Sequence, residues 1–188
     1  MTPWNISTRR LVLLSMLSAS GLILFVFESF LPLLPWFRPG LGNIATILAL
    51  MIFGFGDAVK VTTLRIILGA LVLGRLFTPG FLLALSGGFA SVLIMSFVFR
   101  YTGKIFGPVG ISVIGAVTHN FVQLFIAYLL FVKSIEIFIF TPVFMCAGVL
   151  TGTLTGLIAV MVFESAAERL GYKTAWQGMK KKNSCAGS

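Results

Sequence analysis

Four groups of polar residues interrupt an otherwise apolar chain, and each is of a type that could hold a small molecule. Arg65 stands between Leu64 and Ile66. A guanidinium there could bind a carboxylate or phosphate through its fork of donors. It could instead snorkel to the inner end of its helix, about seven residues or roughly 10 Å away. His119-Asn120-x-x-Gln123 places His119 and Gln123 on one helix face with Asn120 beside them. These three side chains could line a pocket or cross-link helices. Ser86-Gly87-Gly88 would permit close helix approach or expose backbone to a ligand. Arg38-Pro-Gly-Leu-Gly-Asn43 combines a cation, a tight turn and an amide.

The same residues exclude several chemistries. His119 has no second His, buried Cys pair or carboxylate nearby, so the cluster is a poor metal site. The glycines at 40 and 42 follow no strand and are not a dinucleotide fingerprint, and the chain has no phosphate-binding Gly-x-x-x-x-Gly-Lys-Ser/Thr loop. No cofactor is expected: Cys-x-x-Cys-His, cysteine clusters and paired His ligands are all missing.

The elements that must carry these residues follow from composition. Of 188 residues, 58% are hydrophobic and 10% charged, with a mean hydropathy of +1.05. A soluble domain of this size cannot hide so much apolar surface. In lipid the backbone must satisfy itself, and the long continuous apolar runs favour helices over a barrel. The expected fold is therefore all-α, a polytopic membrane protein with six transmembrane helices at about 11–34, 43–55, 58–77, 80–99, 109–132 and 141–163. Residues 1–10 form an N-terminal segment, 11–163 the membrane domain and 164–188 a basic C-terminal segment, read either as an inner-surface helix or as a solvated tail. The second helix is short for a full span and could be a broken helix lining a cavity.

With six spans and an inner N-terminus, the inner segments hold Arg9, Arg10, Lys60, Arg100, Lys104, Arg169, Lys173 and Lys180 to Lys182. The outer segments hold only Arg38, Arg75 and Lys133. Both termini are thus expected on the cytoplasmic side of the cell membrane, and the net charge of +9 points to anionic lipid, not nucleic acid. On the first helix, Ser15 and Ala19 form a small-xxx-small face that another helix could approach closely.

The series Pro39-Gly-Leu-Gly-Asn43, Arg65, Ser86-Gly-Gly88 and Gly115-Ala-Val-Thr-His-Asn-Phe-Val-Gln123 resembles the bacterial Gx transporter family. That family is also described as heptaprenyl diphosphate synthase component I, and it is similar to the substrate-binding S components of energy-coupling factor (ECF) transporters. The resemblance covers roughly residues 10–165, with Val122 standing where the family more often has Gly. It implies a six-helix bundle with a ligand held towards the outer side, capped by the loop that corresponds to Arg38 to Asn43. It also implies that Ser15 and Ala19 meet a transmembrane coupling protein, itself joined to ATPase subunits.

Three functions follow from these readings. The first is uptake of a vitamin-like or isoprenoid/quinone-like molecule, bound by Arg38, Asn43, Arg65, Ser86, Gly87, Gly88, His119, Asn120 and Gln123. The second is a membrane partner of a flavin-carrying protein in quinone-linked electron transfer. The third is a prenyl diphosphate synthase subunit. That chemistry needs clustered carboxylates to hold Mg²⁺, and the chain has one Asp, Asp57, so an enzyme is not expected.

Overall fold

The computed structural model describes residues 6–30, 40–102 and 107–170, which form helices and no strands. Arg38, Lys104 and the basic residues from Lys173 onwards lie outside them. Six α-helices run in order: α1 (Ile6–Ser29), α2 (Asn43–Ile52), α3 (Phe55–Val72), α4 (Pro79–Thr102), α5 (Pro108–Ala127) and α6 (Thr141–Leu170). Between α5 and α6 the chain makes a π-helical turn at Tyr128–Val132 and a 3₁₀ helix at Ile135–Phe140. The helix α6 continues through residue 163, the end expected from hydropathy, to Leu170.

Four helical stretches, those of α1, α4, α5 and α6, are long and apolar enough to cross a membrane. The other two fall short for different reasons. Ten residues of α2 rise only about 15 Å, half of a hydrocarbon core. Its side chains from Asn43 to Met51 are all buried, so it meets protein on every side. The 18 residues of α3 reach about 27 Å but include Asp57, Lys60 and Arg65. Asp57 and Arg65 turn inward, while Leu64, Leu68 and Leu71 are exposed on the opposite face. Large apolar side chains are exposed on each helix except α2, which is how a bundle solvated by lipid presents itself.

The core forms around α2. Ile47, Leu48 and Leu50 pack with Val61 of α3, Val92 and Met95 of α4, Ile111 of α5 and Phe163 of α6. A smaller cluster of Phe25, Ile66 and Ala84 lies beside it. The turn from α2 into α3 takes only two residues, Phe53 and Gly54. Gly54 adopts φ +96°, a conformation open to glycine and strained for other residues, and its N–H caps the carbonyls of Ala49 and Leu50.

Polar side chains tie neighbouring helices together where no water can serve them. The hydroxyls of Thr46 and Thr62 meet at 2.8 Å, and those of Ser112 and Thr155 at 2.9 Å. Ser91 donates to the Gly115 carbonyl at 2.9 Å. The outer helix α1 is fastened near both ends. Arg10 donates from Nε to Asp57 at 2.9 Å and again from Nη2, and Lys60 reaches the same carboxylate at 3.1 Å. At the far end, Glu28 accepts the Leu41 N–H just before α2.

The tightest helix pair is α5 with α6, and three glycines four residues apart make it so. A Cβ on Gly152 would stand 2.6 Å from the Val113 Cα, and one on Gly156 2.8 Å from the Val109 Cα. At Gly148 the corresponding distance to the Val117 Cα is 3.2 Å. Close backbone approach replaces the missing hydrophobic drive between helices in lipid. Gly152→Val is therefore expected to cost about 1–3 kcal/mol by forcing the two backbones apart. The thermal midpoint of the purified protein in detergent measures it, with Leu154→Ala on the exposed face as the silent control.

Candidate functional site

The polar residues singled out above gather at one end of the bundle, where α1, α3 and α5 finish and α2, α4 and α6 begin. They form two groups, not one continuous pocket. In the first, Arg65 is 3% exposed and runs towards the start of α2, where Nη2 donates to Asn43 Oδ1 at 3.2 Å. A glycine makes room for it: a Cβ on Gly42 would overlap the guanidinium, while one on Gly21 would come within 2.9 Å of Ala45 Cβ and so hold α1 away from α2. The buried Glu28 carboxylate acts on the Arg65 charge and also accepts from the Leu41 N–H at the open end of α2. Sequence offered no acidic neighbour for Arg65, because Glu28 is 37 residues away along the chain. Its partner becomes visible only once α1 is laid against α3. The guanidinium is thus turned into protein, with Nε buried and lacking a hydrogen-bond partner.

The second group lies between α4, α5 and α6. Gln123 Nε2 and His119 Nε2 meet at 2.9 Å across one helical turn. Both pack on Gly87, where a Cβ would come within 2.9 Å of Gln123 Cγ and 3.1 Å of His119 Nδ1. Asn120 turns to α6 and donates to the Phe144 carbonyl at 3.0 Å. A short apolar partition separates the two groups: Ile66, adjacent to Arg65, fills the hollow left by Gly88, with Phe25 and Ala84 alongside. Ser86 takes no part in either group, since its hydroxyl donates to Leu82 and Leu83 carbonyls of its own helix at 2.8 and 3.2 Å. Ser15 and Ala19 are exposed on the outer face of α1. Arg38 lies outside the described residues.

Beside the second group is a cavity of about 480 Å³. This volume suits a small organic molecule. Leu83, Phe140 and Phe144 form apolar walls, and Gln123, Ser134 and Glu136 supply the polar groups. Of the residues singled out in the sequence, Gln123 alone lines it. The cover is irregular backbone. The π-helical turn that ends α5 closes on Lys133, which adopts φ +50° as its N–H bonds the Tyr128 carbonyl at 3.0 Å. The 3₁₀ helix then folds back, with the Tyr128 and Phe138 rings 5.2 Å apart. Non-helical backbone at such a position is tolerated where it borders a cavity. Ser134, Glu136, Phe140 and Phe144 escaped the sequence reading because they occupy a connection and the first turn of a helix. The interruption of hydropathy at Lys133-Ser-Ile-Glu136 was the available signal.

Residues 17–162 match the family model described as heptaprenyl diphosphate synthase component I. No curated protein and no solved structure matches the chain.

Removing the Arg65 donor strands Asn43 and leaves Glu28 buried without its nearby positive charge. Arg65→Met is expected to cost about 1.5–3 kcal/mol, as for a hydrogen-bonded buried charge. Arg10→Met, at a half-exposed ion pair where Lys60 still serves Asp57, should cost under about 1 kcal/mol. Thermal midpoints of the two variants in the same detergent test the ranking.

Proposed function

The chain belongs to the heptaprenyl diphosphate synthase component I family, and from that starting point we propose that it is the substrate-binding subunit of a small-molecule uptake system. It works as an ECF S component does, resident in the cell membrane with both termini cytoplasmic and all six helices forming its membrane body. The observation that carries this reading is the cavity of about 480 Å³ with the buried amide of Gln123 in its wall. Apolar walls with a few fixed polar groups are the usual make-up of a ligand site. The ligand is small and largely apolar, of a vitamin-like or isoprenoid/quinone-like kind. His119 and Gly87 position Gln123, one through its ring nitrogen and the other by leaving space.

Energy comes from other subunits, since the chain has no phosphate-binding loop for ATP. The exposed Ser15 and Ala19 face of α1 is where a transmembrane coupling protein packs against it, because small residues let a second helix come close.

The family's description favours a second reading, a non-catalytic subunit of a prenyl diphosphate synthase. Among the described residues no group of three His, Cys, Asp or Glu is placed to hold a metal ion, so the carboxylates for Mg²⁺ would have to come from another subunit. Prenyl transfer by the isolated chain would reverse the order of the two readings.

Native mass spectrometry of the protein in mild detergent distinguishes a binding subunit from a purely structural one. The unmodified protein is expected to carry a small molecule that Gln123→Leu weakens and Leu83→Trp, which fills the cavity, displaces. Equal occupancy in all three proteins, or none in the unmodified protein, counts against uptake.

A further inference from the structure

The polar groups of the cavity between α4, α5 and the cover of α6 are of one kind. Gln123 is 4% exposed, and its amide nitrogen is engaged with His119 Nε2. Its Oε1 is buried without a hydrogen-bond partner. A buried carbonyl without a partner is costly unless something donates to it. Glu136, on the 3₁₀ helix, adds a carboxylate to the same lining, and among the described residues it has no ion-pair partner. Ser134 can donate or accept. Among the described residues no Lys or Arg lines the cavity: Lys133 is exposed between the lining residues Val132 and Ser134, and Arg65 lies on α3, beside the Ile66 that fills the hollow of Gly88.

We infer that this cavity selects a ligand with an apolar body and a hydrogen-bond-donating, positively charged amine head, and rejects carboxylates and phosphates. The inference rests on the uptake reading, and it specifies the chemical class that the site takes. Phe140, Phe144 and Leu83 bury the body. The head donates to Gln123 Oε1 inside, or to Glu136 towards the covering connection. An anionic head would meet a carboxylate and an acceptor amide, with no cation among the described lining residues to offset either. Selection therefore combines one attractive pair with one repulsive element.

Three near-isosteric, water-soluble probes test this on the full chain in detergent: 4-phenylbutylamine, 4-phenylbutan-1-ol and 4-phenylbutyrate. Affinities are read by titration of the thermal midpoint. The amine is expected to bind about three- to tenfold tighter than the alcohol, with the carboxylate weakest. Glu136→Gln, at an exposed position that leaves the packing intact, should remove the amine's advantage over the alcohol while the alcohol's own affinity stays within about twofold. Gln123→Leu should weaken the amine and the alcohol together. A carboxylate that binds as well as the amine, an amine that does not bind, or an amine advantage that survives Glu136→Gln overturns the inference. The uptake reading fails separately: it falls if Leu83→Trp leaves the affinity of every binding probe unchanged, and it stands if that variant abolishes binding of whichever probe is preferred.

Discussion

A polar group inside a bilayer has no solvent to turn to, and that constraint governs how this bundle is assembled. Its buried hydroxyls and amides are therefore spent between helices: Thr46 on Thr62, Ser91 on Gly115, Ser112 on Thr155, Asn120 on Phe144. Each contact is modest by itself, but together they fix which faces meet. The glycines do the complementary work. Gly148, Gly152 and Gly156 bring α6 against α5, Gly21 admits Ala45 of α2, and Gly42 leaves the volume that the Arg65 guanidinium fills. The rule is left incomplete at Arg65 Nε and at Gln123 Oε1, and the second of these residues lines the cavity.

The two polar groups consequently have different characters. Arg65, Asn43 and Glu28 enclose charge within protein and join the start of α2 to α1 and α3. Gln123, held by His119, borders a cavity. The sequence presents both as polar interruptions of apolar helices, and only packing separates a clasp from a binding wall. Ile66 fills the hollow left by Gly88, and Arg65, beside it on α3, is not among the residues that line the cavity.

Much of the architecture was legible because lipid imposes a crude code. Hydropathy located all six helices to within several residues, and the small face of Ser15 and Ala19 does lie on the outside of α1. The shortness of α2 was also readable, although its complete enclosure was not: apolar residues look alike whether they face lipid or protein. Arg65 misled in a similar way. Its type and depth marked it as unusual, but the identity of its neighbours depended on a contact across 37 residues with Glu28. Ser86 was prominent for its sequence context and is occupied by its own helix. The cavity walls were the least legible part, because Ser134 and Glu136 derive their placement from a π-helical turn that carries no residue signature of its own.

The enclosure of α2 bears on how the chain enters the membrane. A helix of ten residues, eight of them apolar, is too short to be halted as a span during insertion, and the two-residue turn at Phe53 and Gly54 leaves no polar loop to deliver it to the far side. It must therefore partition together with α3 as a hairpin whose turn stays at a membrane surface, where Lys60 lies exposed beside Asp57. Until α4, α5 and α6 have been synthesised, the Thr46 hydroxyl and the Asn43 amide of that hairpin have only α1 and α3 for company. Completion of the protein is then a wrapping event, in which the later helices close around an element that could not reside in lipid by itself.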